Sequence, residues 1–259
     1  MNLIDIHALW VGNKLGEISK CCLSSFVMRG HSVFLHTYNE IEDLPQGVVI
    51  LDANLIIPKN KIIKHKKTGS YALFSDIFRY ELLKKIDGLY VDCDVYCLKP
   101  IEKPESGYLL SFEDDKLING AVLALPKDSK VLSSLTNAAY DPYFIPPWYS
   151  KTKQFRLKLK KLLGFGKGLE DMPWGVIGPK AITYYIKKLL LEKNVGSIDV
   201  FYPIHYSCVS QLFDPELSVI DVTTSRTLCI HLYNEMLKNK DLHDLHPNCL
   251  MYKLLNNQI

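Results

Sequence analysis

The chain has no run of the roughly 18 apolar residues that a bilayer-spanning helix needs, although 47% of its 259 residues are hydrophobic. That apolar content therefore goes into a folded core, enough for one sizeable α/β domain. An excess of charge is also missing: 31 Lys and Arg against 28 Asp and Glu leave +3. So small a balance gives no whole-molecule field of the kind that attracts nucleic acid, and no nucleic-acid partner is expected. The cysteines lack the pattern of a disulfide framework or a zinc site. Seven is an odd number, and Cys21-Cys22 and Cys93-x3-Cys97 do not reproduce paired C-x2-C spacing, so reduced thiols of a cytoplasmic protein are expected. The opening "MNLIDIHALW" has no basic stretch followed by an apolar one, which argues against secretion or an N-terminal anchor. Internal repeats and low-complexity tracts are absent as well.

What is present alternates between strand and helix patterns. "LIDIHALWVG" (3–12) reads as a first strand that ends at Gly12 and delivers His7 and Trp10 toward a loop. A helix over 16–29, a strand over 31–38 and a short apolar strand over 47–52 follow. Ala72, Phe74, Ile77, Phe78, Leu82 and Leu83 form the stripe of a helix predicted to stop at Gly88. Strand 88–92 comes next, then "SGYLLSFEDD" and "NGAVLALP" (119–126) as two more strands, and a helix from about 128 to 139. Composition then shifts. Seven basic residues lie between Lys151 and Lys167 with no acid among them, marking an insertion over about 140–172. A helix over about 180–193 and the segments "IDVFYPIHY" and "LCIHLYNEM" complete the chain. Alternating strands and helices predict an α/β fold.

The stretch "GLYVDCDVYCLKP" (88–100) ends an apolar strand on two acids, Asp92 and Asp94, one residue apart. Ligands of open α/β sheets bind outside the carboxyl ends of strands. In extended backbone, residues two apart share a side, so both carboxylates face one target. Two hard oxygen donors suit Mg²⁺ or Mn²⁺ and leave positions free for water and phosphate oxygens. The alternative is a strand-exit turn with two solvated acids.

With the helix before it, "ALFSDIFRYELLKKIDGLYVDCDVYCLKP" resembles the DxD region of the family-32 glycosyltransferases, which includes bacterial members and the α-1,4-galactosyltransferase and α-1,6-mannosyltransferase types. The large clostridial glucosylating toxins have a similar core. The resemblance is closest over about 70–100, is supported by "IHALWVG", and thins beyond about residue 126. It implies a single GT-A catalytic domain over 1–259, a Rossmann-like α/β fold with a mostly parallel sheet, whose nucleotide-sugar-binding half is about 1–126. It also implies a retaining, metal-dependent transfer of a hexose from a nucleotide sugar, with Mn²⁺ or Mg²⁺ as cofactor.

By that resemblance Asp76 holds donor-sugar hydroxyls and Arg79 meets the sugar or the phosphate, the two sharing a helix face; a surface ion pair is the plainer reading. Asp94 ligates the metal, and Asp92 contacts the metal, ribose or sugar. Trp10 stacks on uracil or closes the strand end as a core residue. Tyr90 lines the nucleotide pocket or packs in the core. Asn119 and Gly120 open a strand near the donor sugar, with Glu113, Asp114 and Asp115 just before them in a polar turn. His231, in an element that resembles the family's H-x-W with Tyr233 in place of tryptophan, is a candidate for the metal or the diphosphate. "WGVIGP" (174–179) resembles an acceptor-side element of the family.

The expected donor is UDP-linked galactose, glucose or an N-acetylhexosamine. The expected acceptor is a glycan or lipid-linked oligosaccharide of a bacterial capsule or lipopolysaccharide. Phe155, Leu159, Leu162 and Leu163 lie opposite several lysines at helical spacing, so 151–168 could rest on an anionic inner membrane surface or be a solvated basic face. Two other functions use the same residues. HAD-type phosphatases end an apolar strand in D-x-D with the first Asp, here Asp92, as nucleophile, but there the motif opens the domain. A non-catalytic nucleotide-sugar-binding protein would keep the fold alone.

Overall fold

A computed structural model describes residues 2–259. The order of elements is β1 (Ile6–Trp10), α1 (Gly16–Met28), β2 (Val33–Thr37), β3 (Val48–Asp52), α2 (Ala72–Lys85), β4 (Leu89–Val91), β5 (Val95–Cys97), β6 (Val122–Leu123), α3 (Lys130–Tyr140), α4 (Lys151–Leu162), α5 (Pro179–Lys188), α6 (Val219–Val222), β7 (Cys229–His231), α7 (Asn234–Leu237) and α8 (Leu250–Leu255). Five strands form the central sheet in the order β3-β2-β1-β4-β6. The three pairings among β3, β2, β1 and β4 are parallel, and β6 runs antiparallel to β4. The expected α/β fold with a mostly parallel sheet is thus present. The inner strands β1, β2 and β4 are largely buried because helices cover both faces, whereas the edge strand β3 leaves Val49 and Ile50 exposed.

On one face, α2, α3 and α5 pack Phe74, Phe78, Leu132, Leu135, Ile182 and Ile186 into one cluster. On the other, Leu23 and Phe26 of α1 meet Ala8, Leu35 and Val91. The ribbon of β5 and β7 stands beside the sheet and is backed by Leu250 and Leu254 of α8, which cluster with Ile18 and Ile230. Among the described residues, no helix is long and apolar enough to cross a membrane.

Five expectations are corrected. Helix α2 does not run to Gly88; it ends at Lys85, where Ile86 turns extended. Gly88 is instead required by the approach of β4 to β1, since a Cβ there would lie 2.8 Å from His7 Cδ2 and 2.9 Å from the Asp5 carbonyl. The strand expected in "SGYLLSFEDD" reduces to isolated bridges, Leu109 to Ala124, Ser111 to Gly196 and Phe112 to Ile118. Its partner over 119–126 shortens to the two residues of β6. Helix α5 stops at Lys188 rather than 193 because Leu190 takes a left-handed φ of 55° that no helix continues through. His7 also departs from its expected position: it is buried against His36, with Nδ1 3.0 Å from His36 Nε2.

Candidate active site

The strand order reverses at β1, with β2 and β3 on one side and β4 on the other. That reversal opens a crevice at the carboxyl ends of β1 and β4, the usual ligand position in doubly wound sheets. Trp10 ends β1 and Asp92 follows β4. Trp10 is half-buried, and its indole N–H donates to the Lys14 carbonyl at 3.0 Å, which fixes the ring at the crevice rim.

Beyond Val91 the chain turns sharply, with the Val95 N–H donating to the Asp92 carbonyl at 3.2 Å, and enters β5. Strand β7 pairs with β5 in antiparallel register, Val95 opposite His231. One residue from that pair, Asp94 meets His231, Oδ1 lying 3.2 Å from Nε2. The Asn234 N–H donates to Asp94 Oδ2 at 2.8 Å, and the Leu232 N–H donates to the Asp94 carbonyl at 2.8 Å. One ligand atom from each of Asp92, Asp94 and His231 lies within 4.8 Å of the other two.

Two carboxylate oxygens and an imidazole nitrogen are a donor set that suits Mn²⁺. The spacing fits as well, since neighbouring ligand atoms about 2.1 Å from one octahedral ion are about 3 Å apart. Burial works against the Asp94 charge, yet His231 and the Asn234 N–H outweigh it and hold Asp94 below the usual carboxylate range. Against the same burial, Asp94 raises His231. The pair therefore favours a positive charge between its two atoms, which a proton or a divalent cation can provide. His231 Nδ1 and the Tyr233 hydroxyl are both buried without a hydrogen-bond partner. The Tyr233 ring lies 4.0 Å from the His231 ring, tilted 48° to it, and is carried on a left-handed backbone, φ 52°.

Arg79 joins this triad to Asp76. Its Nη2 donates to Asp92 Oδ1 at 3.1 Å and to Ser75 Oγ at 3.1 Å, and lies 3.6 Å from Asp76 Oδ1. The guanidinium sits 4.6 Å above the Tyr90 ring. The Tyr90 hydroxyl donates to Asp92 Oδ1 at 2.9 Å and is 2.7 Å from Ser75 Oγ. Tyr90 is wholly buried, so its contact with the crevice runs through Asp92, whose side chain keeps 30% of its surface exposed. Burial pushes the Asp76 carboxyl up to about 7, with Arg79 opposing the shift and Asp92 adding to it. Burial opposes the Arg79 charge, but Asp92 first and then the other acids outweigh it and raise the group.

Backbone glycines close around this ion cluster. A Cβ on Gly120 would lie 2.6 Å from Arg79 Nη1, and one on Gly178 would lie 2.5 Å from Asp76 Oδ2. Asn119 accepts from the Ala121 N–H at 2.8 Å, and Ala121 in turn accepts from the Asp92 N–H. Asn119 thus shapes the turn that leads Gly120 past Arg79. Trp10, Asp76, Arg79, Tyr90, Asp92, Asp94, Asn119, Gly120 and His231 all belong to this end of the sheet or the ribbon beside it. Ser75, Tyr202, Glu113 and Gly178 complete the surroundings. Tyr202 stands edge-on to His231 at 5.7 Å. Glu113 is buried, and its charge adds to the rise of His231 and of Tyr233. Ser75 was legible as the residue before Asp76; the approach of Gly178 to Asp76 spans about a hundred residues and has no local signal.

Residues 26–118 match the family described as "Glycosyltransferase sugar-binding region containing DXD motif". Residues 164–258 match the "Alpha 1,4-glycosyltransferase conserved region". Among solved structures, the chain is similar to "PaToxG Glycosyltransferase" with 16% identity and a TM-score of 0.46, covering 74% of this chain and 72% of that one. A transferase carrying two cysteine-to-serine substitutions is similar at 12% identity and a TM-score of 0.37, covering 67% of this chain and 88% of that one. No curated protein sequence matches. Both family matches are to glycosyltransferase regions, and neither is to a phosphatase in which Asp92 would be the nucleophile. The first contains Asp76, Arg79, Asp92 and Asp94 and the second contains Gly178 and His231, so both halves of the site lie in sequence that matches glycosyltransferase regions.

Proposed function

We propose that this glycosyltransferase moves a hexose from a UDP-linked donor, galactose, glucose or an N-acetylhexosamine, with retention of configuration. The acceptor would be a hydroxyl of a glycan or glycolipid in bacterial capsule or lipopolysaccharide synthesis. The observation that carries the reading is the meeting of Asp92, Asp94 and His231 one guanidinium away from the buried Asp76.

Each side chain has a physical task in this reading. Trp10 offers a ring face to the uracil at the end of β1. Asp92, Asp94 and His231 would hold Mn²⁺ or Mg²⁺, which supplies neutralisation of the charge that gathers on the diphosphate as the sugar leaves. Tyr90 and Ser75 fix the Asp92 carboxylate. Arg79 keeps Asp92 in place and would be the cation that meets the sugar or its phosphate. Asp76 accepts sugar hydroxyls, and Asn119 and Gly120 let the backbone run close beside them. Retention follows from same-face attack through an oxocarbenium-like transition state, and no protein group is assigned as nucleophile or base.

Helix α4 supports the membrane part of the reading. None of its residues is buried, and Phe155, Leu159, Leu162 and Leu163 are exposed among lysines. An amphipathic basic helix of this kind suits the anionic inner face of a plasma membrane and a lipid-linked acceptor.

The direct test incubates the chain with a panel of UDP- and GDP-sugars and follows nucleoside diphosphate release with Mn²⁺, with Mg²⁺ and with EDTA. Metal-dependent hydrolysis of one donor, lost in Asp94→Ala, is the expected result. Phosphate release from a generic phosphomonoester with no donor hydrolysis would overturn it.

A further inference from the structure

Trp174 stands apart from the other aromatic residues near the site. It is 60% exposed, whereas Met172, Val176 and Ile177 on either side of it are buried in the core. The segment that presents it is fixed from several directions. His65 Nε2 is 2.9 Å from the Met172 carbonyl, the Tyr80 hydroxyl donates to the Ile177 carbonyl at 2.6 Å, and Lys66 pairs with Asp171 at 2.6 Å. The exposed indole is therefore a held feature of the surface.

Beside the indole lies a recess whose walls include His65, Leu73, Gly175 and Asp76. Asp76 is 93% buried by residue surface, at 7% exposure, and among the described residues no hydrogen bond reaches its carboxylate; Arg79 Nη2 is 3.6 Å away. The cavity holds ≈ 10 Å³, about the volume one water-sized group occupies. A hydroxyl fits there, and a ring does not.

An exposed indole beside a pit sized for one hydroxyl and lined in part by Asp76 matches a pyranose. A hexose has one face of C–H groups, which rests on an aromatic ring, and a rim of hydroxyls, which donate to carboxylates. We propose that Trp174 is a stacking platform for a hexopyranose ring, one hydroxyl of which enters the recess over Asp76. The proposal deepens the transferase reading and rests on it for the identity of the ring, either the transferred sugar or the accepting one. Trp174 is then a specificity-determining residue: an epimer that turns the wrong hydroxyl to the recess loses the carboxylate contact, or loses the stacked face in keeping it.

The probes are methyl α- and β-glycosides of galactose, glucose and N-acetylglucosamine, followed by saturation-transfer NMR on the full chain, with nucleotide-sugar hydrolysis and transfer measured in parallel. The expected result is saturable binding of one glycoside, strongest at its C–H face, weakened about tenfold by Trp174→Ala and largely kept by Trp174→Phe. A raised donor KM for hydrolysis in Trp174→Ala assigns the ring to the donor sugar. Unchanged hydrolysis with a raised acceptor KM assigns it to the acceptor. If no glycoside binds, or if Trp174→Ala changes neither binding nor either KM while hydrolysis persists, the platform is overturned and the transferase reading stands. Glycoside binding that Trp174→Ala weakens supports the platform even where no nucleotide sugar is hydrolysed, a result that would count against the transferase reading alone.

Discussion

Asp94 and His231 are 137 residues apart in sequence and 3.2 Å apart in space, Oδ1 against Nε2. Their contact is made by the pairing of β5 with β7, so neither residue alone can form the site. Asp94→Ala and His231→Ala are each expected to weaken Mn²⁺ binding by at least about 100-fold, beyond the ~10–100-fold typical of outer partners. Calorimetric titration of Mn²⁺ into the full chain reads this without any substrate. Affinity should also fall as pH drops through the raised His231 value, because the proton and the metal compete for the same nitrogen. Unaltered affinity in both variants would rule out this triad as the metal site.

Among the described residues Arg79 is the one cation within 4 Å of both Asp76 and Asp92, and removing it leaves these acids without that counter-charge. Arg79→Ala is expected to cost about 3 kcal/mol of stability in urea unfolding, the scale for breaking a buried pair. Asp76 can escape part of that cost by taking up a proton. Adding Asp76→Asn to Arg79→Ala should therefore recover stability, and a double variant less stable than the single would refute the account. Arg79→Lys should not rescue function, since an ammonium cannot reach Ser75 and two carboxylates in one plane.

Much of this arrangement is legible locally. Helix α2, the apolar strand and the D-x-D turn follow one another within 26 residues, from Ala72 to Cys97, and each is written in periodicity or spacing. The parallel sheet follows from the alternation of strands with helices. What could not be read is long-range geometry. Nothing near Gly88 says that its missing Cβ serves His7 rather than a helix end. The acids of "SFEDD" look alike in sequence, yet Glu113 is buried toward His231 while Asp114 caps its own turn, accepting from the Lys116 and Leu117 N–H groups. The exposure of Trp174 depends on anchors as distant as His65 and Tyr80.

Burial holds His7 and His36 down to about 4 each, with His7 adding to the shift of His36. The unfolded chain takes up these protons near the ordinary 6.5, so it binds more protons than the folded chain between 6.5 and 4. Stability is complete above about 6.5 and falls as pH drops toward 4. Urea unfolding at pH 5 should show a loss of roughly 2–4 kcal/mol from this pair relative to pH 7. Replacing both with leucine should remove most of that loss, because an apolar pair leaves no donor unmatched. A pH dependence that survives the double replacement would place its origin elsewhere.

Helix α4 lends itself to a vesicle assay. Lys158→Glu with Lys160→Glu, or Leu159→Ser with Leu162→Ser, should each abolish co-sedimentation with phosphatidylglycerol vesicles. Each charge near the surface contributes about 1 kcal/mol. The Lys variant should lose its effect in high salt, and both should keep donor hydrolysis, since α4 buries nothing in the core. Wild-type protein that ignores anionic vesicles would remove the membrane from the proposed function and leave the chemistry untouched.

Gly178 offers the sharpest steric test of the site. It is buried, with φ −85° and ψ −119°, and a Cβ would meet Asp76 Oδ2 at 2.5 Å and Oδ1 at 2.8 Å. A carboxylate on a flexible surface side chain would simply swing aside. Asp76 cannot do so freely, because its neighbour Arg79 is committed to Asp92 and Ser75 and is itself pressed by Gly120. Gly178→Ala should therefore push Asp76 off its position, costing about 1–3 kcal/mol as overpacking does and at least about tenfold in donor turnover. Combining Gly178→Ala with Asp76→Ala removes the clash, so the double variant should be more stable than the two single losses would sum to, while its activity stays low. Strictly additive stabilities in that cycle would mean that the glycine serves the backbone turn and not the carboxylate.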